Sequence, residues 1–151
     1  MITFPHCLLL NDLEDVSMNG WFTLTQSFDV WETDDLDPDI RTLYRAPIGI
    51  LLDGASIPRF FWRVIGSPFT GRYLRGSVIH DAGYKGRLLS GPSERSLGKC
   101  PLDRKAIDNL FYRLMLARGV SKKKAEAMYA AVRVGGWRAW RNAHKEVMHD
   151  V

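Results

Sequence analysis

The residues of this chain best suited to chemistry stand in two short stretches, Leu52-Asp53-Gly54-Ala55-Ser56-Ile57-Pro58 and Gly76-Ser77-Val78-Ile79-His80-Asp81-Ala82-Gly83-Tyr84. At helical spacing the His80 imidazole and the Tyr84 phenol share one face, with the Asp81 carboxylate about 100° round. The imidazole can act as a base or ligand, and the carboxylate can hold a hard cation. The plainer reading is a hydrogen-bonded core histidine beside a solvated helix acid, and spacing alone leaves both open. Asp53 ends an apolar run next to Gly54, whose backbone can turn sharply, so an acid and nearby carbonyl oxygens are presented from the end of a strand.

A third acid joins the argument. Pro101 and Asp103 begin a helix in which Ile107, Phe111, Leu114 and Met115 form an apolar stripe, and Asp108 lies beside it. An ionised carboxylate on a core-facing flank is costly unless paired, which points to a partner. A histidine from the preceding helix is the nearest candidate; the alternative is that Asp108 sits at the edge of the stripe and reaches water.

The elements that must position these groups follow from the patterning. From Trp21 to Trp31 the chain is rich in β-branched and aromatic residues and partly alternates, which predicts a strand. The acidic run 32–39 reads as a hairpin loop, 41–50 as the return strand with Pro47 at an edge or bulge, and Cys7 to Leu10 as a short strand of the same sheet. Phe60 to Ile65 reads as a packed or 3₁₀ segment, ahead of a Gly66-Ser67-Pro68 break. A helix of about fifteen residues carrying His80 and Asp81 follows, then a long loop over 85–101. Gly119 ends the Asp108 helix, Ser121 caps a third, and Ala125, Met128, Tyr129 and Val132 form its buried face. The expectation is one α+β domain over 1–151: an antiparallel sheet or hairpin region of three or four strands within 1–58, then three helices within 68–151.

At 151 residues and 46% hydrophobic composition the chain can bury a core of its own. No run approaches the roughly 18 apolar residues of a membrane span. The start Met1-Ile2-Thr3-Phe4-Pro5-His6 lacks the basic opening of a signal peptide, so synthesis in a host cytoplasm is expected. Cys7 and Cys100 are too few and too far apart for a disulfide framework or zinc site and read as free thiols. Charge is uneven: residues 1–50 carry nine acids and two bases, residues 51–151 nineteen bases and eight acids. The halves are complementary, and if the acidic loop folds onto the basic half the domain should be monomeric. Around Gly135-Gly136-Trp137-Arg138-Ala139-Trp140-Arg141 no nucleic-acid module is recognisable, so core packing plus a basic surface is preferred to a nucleic-acid partner. His144 and His149 have no acid or cysteine at ligand spacing and read as surface residues.

Two family resemblances rest on these motifs. The span from Trp21 to Trp137, especially Asp53-Gly54-Ala55-Ser56-Ile57-Pro58-Arg59, His80-Asp81 and Ala106-Ile107-Asp108, resembles the phage and prophage family called domain of unknown function 1353. More narrowly, Asp53-Gly54-Ala55-Ser56, His80-Asp81-Ala82-Gly83-Tyr84 and Arg104-Lys105-Ala106-Ile107-Asp108-Asn109-Leu110-Phe111 are similar, in the same order, to the motifs of prokaryotic calcium-dependent secreted phospholipases. That second resemblance implies His80 as the general base, Asp108 as the acid orienting it, and Tyr84 within the same catalytic motif. It also implies Asp53, the Gly54 carbonyl and Asp81 as ligands of a calcium ion. Ala55 and Ser77 stand where those enzymes carry a bonded cysteine pair. The implied activity is hydrolysis of lipid esters by a phage-encoded domain working at a phospholipid membrane surface. The competing expectation is a non-enzymatic tail or baseplate component, associated with the virion and with other phage structural proteins, or a protein that binds a host factor.

Overall fold

The computed structural model describes residues 1–4, 13–17, 21–52 and 72–146. In chain order these form β1 (Ile2–Thr3), β2 (Leu13–Ser17), β3 (Trp21–Leu24), β4 (Phe28–Thr33), β5 (Arg41–Ala46) and β6 (Leu51–Leu52), then α1 (Leu74–Tyr84), β7 (Leu89–Gly91), a 3₁₀ turn (Glu94–Ser96) and β8 (Gly98–Lys99), and finally α2 (Arg104–Ala117), α3 (Lys122–Gly135) and α4 (Trp137–Glu146). The fold is α+β, with antiparallel strands first and helices after them. None of the described helices is long and apolar enough to cross a membrane.

The strands make two antiparallel sheets, one in the order β1-β4-β5-β7-β8 and one in the order β2-β3-β6. The predicted hairpin is the β4–β5 pair, in register from Phe28 opposite Ala46 to Thr33 opposite Arg41. Its acidic connection is held by local turns, in which the Asp34 carboxylate accepts from the backbone N–H groups of Leu36 and Asp37. Within the hairpin Asp29 lies directly opposite Arg45 and takes a two-pronged bond from it at 2.7 and 2.6 Å, which compensates a carboxylate that is only 2% exposed.

Three expectations are revised. The strand expected from Trp21 through Trp31 is two strands in different sheets, separated by the exposed Thr25, Gln26 and Ser27. The long loop expected over 85–101 instead adds β7 and β8 to the larger sheet, with Tyr44 opposite Ser90 and Leu89 opposite Lys99. The described helices number four, because α3 stops at the Gly135-Gly136 pair and α4 follows it at once. The short strand expected near Cys7 to Leu10 and the segment Phe60 to Ile65 lie outside the described residues.

The main core lies between the larger sheet and α1, where Phe28, Val30, Tyr44, Val78, Ile79 and Leu110 are all buried. A second cluster of Phe111, Met115, Val120, Ala125, Met128 and Val132 joins α2 to α3. Acidic and basic halves meet at Glu32, whose carboxylate is gripped by Arg113 of α2 at 2.6 and 3.0 Å and also accepts from the Tyr44 hydroxyl at 3.3 Å.

Candidate active site

Helix α1 is the central element. Every residue of it except Arg75 is buried, although its sequence includes Ser77, His80 and Asp81. Polar groups in such a position need partners, and α2 supplies one. Two glycines set the approach: a Cβ on Gly76 would lie 3.1 Å from the Phe111 ring, and one on Gly83 would lie 2.7 Å from the Ile107 side chain. Glycine within a helix costs up to about 1 kcal/mol relative to alanine, but here it lets α2 come close on both sides of His80. Ile107 and Phe111 bracket Asp108 in the same way. The close crossing therefore delivers the imidazole to the carboxylate.

His80 Nε2 and Asp108 Oδ1 are 2.7 Å apart, and both side chains are fully buried. Tyr84 donates its hydroxyl to the same oxygen at 2.8 Å, while Arg133 of α3 donates Nη1 to Asp108 Oδ2 at 2.7 Å. Arg104, one turn before Asp108 on α2, brings its Nη1 to 3.8 Å from Oδ2. Burial pushes the Asp108 carboxyl up, but His80, Arg133 and Tyr84 outweigh it and hold the group below its ordinary 3.8. Asp108 is therefore an anion at neutral pH, and an ionised carboxylate only accepts. It follows that Nε2 of His80 carries the hydrogen of that contact.

Aromatic rings fix the imidazole in place. Tyr84 and Phe111 lie 4.3 and 4.7 Å from it, centroid to centroid. Tyr84 is in turn met edge-on by Trp140 of α4 at 5.4 Å. Gly136 admits this arrangement, since a Cβ there would overlap the Tyr84 hydroxyl and the Val132 carbonyl. Burial and the Asp108 charge both push the Tyr84 phenol up, so it stays a donor. His144, expected at the surface, instead stacks on Trp140 at 4.2 Å and bonds that residue's carbonyl oxygen; His149 lies outside the described residues.

Of the residues singled out in the sequence, His80, Tyr84 and Asp108 come together. The alternative that Asp108 reaches water is overturned by its complete burial. Asp81 is not a solvated helix acid: it is 2% exposed on α1. Asp53 and Gly54, the other two implied cation ligands, lie outside the described residues. Among the described residues no group of three or more His, Cys, Asp or Glu side chains could hold a metal ion. In chemical type, two carboxylates and a backbone carbonyl do form the oxygen set that calcium takes. Arg104 and Arg133 were not anticipated. Arg104 precedes Asp108 by four residues, a spacing that puts opposite charges side by side on a helix, whereas Arg133 is distant in sequence and carries no local signal.

A cavity of about 490 Å³ lies elsewhere, between the hairpin and α2, lined by Glu32, Asp34, Asp35, Ile40 and Arg113 among others. None of its lining residues belongs to the cluster around Asp108.

Residues 28–132 match the family described as "Protein of unknown function (DUF1353)". Two proteins of Sinorhizobium fredii (strain NBRC 101917 / NGR234) are similar to the chain. "Uncharacterized protein y4jT" is 42% identical over 92 residues, 60% of this chain and 23% of that protein. "Uncharacterized protein y4iH" is 36% identical over 80 residues, 53% of this chain and 28% of that protein. The chain thus spans about a quarter of the length of these relatives. No solved structure matches it.

Proposed function

This chain belongs to the DUF1353 family of proteins of unknown function, and for it we propose lipid-ester hydrolysis by a phage-encoded domain with His80 as general base. One observation carries the reading: the 2.7 Å contact between His80 and an ionised, fully buried Asp108. Nδ1 of His80 takes a proton from the water that attacks the ester carbonyl, and the imidazolium so formed returns it to the departing alcohol. Asp108 is a positioning residue. It holds the tautomer that leaves Nδ1 basic, and its charge stabilises the imidazolium. Tyr84 keeps the carboxylate in place through its 2.8 Å bond. Asp53, the Gly54 carbonyl and Asp81 would hold calcium, which when bound polarises an ester carbonyl.

A second reading is favoured by a different observation. Asp108 is fully buried, paired by Arg133 and close to Arg104, and His80 is fully buried too. Such a cluster also suits a buried polar clamp in a non-enzymatic tail or baseplate component, or in a protein that binds a host factor.

The deciding assay follows fatty-acid release from mixed phospholipid vesicles with calcium and with chelator, beside calorimetric calcium titration. The hydrolase reading expects release that His80→Asn abolishes with calcium binding nearly intact, and Asp81→Asn binding calcium more weakly. A wild-type protein that neither binds calcium nor releases fatty acid would leave the clamp reading.

A further inference from the structure

The α3–α4 corner turns one side to the buried cluster and the other to solvent. Inward, Trp140 packs on Tyr84 and Arg133 reaches Asp108. Outward, Val134 is 77% exposed and Trp137 42% exposed. Arg138, Arg141 and Lys145 are exposed beside them. Positions 134, 137, 141 and 145 recur at intervals of three or four residues, so across the short break at Gly136 they form one stripe. From Ala127 to Lys145 the sequence contains no acid at all.

We propose that this stripe is a docking surface for an anionic lipid membrane, with Val134 and Trp137 entering the headgroup boundary and Arg138, Arg141 and Lys145 pairing with lipid phosphates. The inference rests on the lipid-ester reading only for its purpose, not for its evidence. A large exposed valine and a tryptophan rimmed by cations are the composition of an interfacial helix, and guanidinium stems can lie along apolar surface while their heads stay among phosphates. A single-stranded nucleic acid would use the same charges but would stack its bases on open aromatic faces. The Trp137 ring is instead covered by guanidinium groups, Arg138 at 5.3 Å and Arg141 at 4.7 Å from its centroid. Seated in this way, the membrane lies against the helix whose Trp140 packs on Tyr84.

The test measures vesicle co-sedimentation in chelator, so that binding is read without turnover, using phosphatidylcholine vesicles with and without phosphatidylglycerol. Wild-type protein and His80→Asn should both bind the anionic vesicles and not the neutral ones. Arg138→Gln and Arg141→Gln should each lower partitioning by about fivefold, the effect of one charge near an anionic surface. Val134→Asp should lower it further, while its circular dichroism stays that of the wild type. Unchanged binding by these variants overturns the proposal, as does tighter binding to duplex or single-stranded DNA than to anionic vesicles. A soluble short-chain ester, assayed below its micelle threshold with calcium, reads the dyad separately. Docking without any ester hydrolysis removes the enzymatic reading and keeps the surface, whereas hydrolysis without docking does the reverse.

Discussion

Arg133 Nη1 and Asp108 Oδ2 are 2.7 Å apart, on the carboxylate oxygen that His80 does not use. The buried acid therefore has its negative charge shared between an imidazole on α1 and a guanidinium on α3. Three helices converge on one side chain, which makes Asp108 a structural centre whatever chemistry it serves.

Arg133→Met should destabilise the fold by about 2 kcal/mol, within the range for a lost hydrogen bond to a charged group and reduced because the arginine is partly solvated. Arg133→Lys should recover part of this, since it restores the charge but not the planar donor. Urea denaturation of the three proteins measures the difference. Equal stability of Arg133→Met and wild type would show that Arg104 alone compensates Asp108.

Asp108→Ala should cost more, about 3–5 kcal/mol, because it leaves His80 and Arg133 facing a site without their acceptor. Asp108→Asn keeps the shape but allows the imidazole to turn to its other tautomer. If the domain hydrolyses esters, this substitution should lower turnover by a factor on the order of 10⁴. Fatty-acid release and thermal melting, measured on the same preparations, separate the two effects.

Stability should fall at both ends of the pH scale for reasons that trace to one pair. The folded state holds Asp108 below its ordinary 3.8, so its contribution is fully present above that value and is lost as pH drops through the lowered folded pKa. Tyr84 is held above its ordinary 10.0, so its contribution is fully present below 10.0 and disappears as pH climbs towards the raised folded pKa. Tyr44, pushed up by burial and by Glu32, adds to the alkaline loss. Denaturation midpoints across pH should therefore form a plateau with two shoulders, and Tyr84→Phe should flatten the alkaline one.

Gly83→Ala should destabilise by about 1–3 kcal/mol, the usual range for overpacking a core. The added methyl meets Ile107 in the tight α1–α2 crossing. Gly83→Ala combined with Ile107→Val should recover part of the loss, which a double-mutant cycle reads directly. Gly136→Ala should instead act on Tyr84, whose hydroxyl occupies the place of the new methyl. The tyrosine's ultraviolet titration should then move back towards its ordinary value.

Local pattern was enough to read a hairpin turning through the acidic run and the stripe of α2; it also gave the buried face of α3 at Ala125, Met128 and Val132, although Tyr129 is only half-buried and Ala131 takes the buried place. It was enough to give Asp108 a partner as well, because a carboxylate beside an apolar stripe has few affordable neighbours and His80 lay on the preceding helix. Pattern failed where pairing depends on distant backbone. Leu89 to Gly91 is glycine- and serine-bearing and becomes a strand only because β5 offers it an edge. The division between β3 and β4 was hidden because Thr25 to Ser27 carries no glycine or proline. Arg133 was hidden for a different reason: an arginine on a lysine-rich helix looks like solvated charge until α2 and α3 are brought together.

The central position of β5 has a further consequence for biosynthesis. Its partner β4 directly precedes it, but β7, which covers its other side, begins at Leu89, with all of α1 between them. A nascent chain that has made the hairpin therefore displays a row of unsatisfied N–H and C=O groups until some forty further residues have emerged. Ribosome-bound or truncated chains ending between Ala46 and Leu89 are consequently the species most prone to pair with one another strand to strand. Arg41 and Arg45, the second already paired with Asp29, are the only charges on that strand that can discourage such pairing.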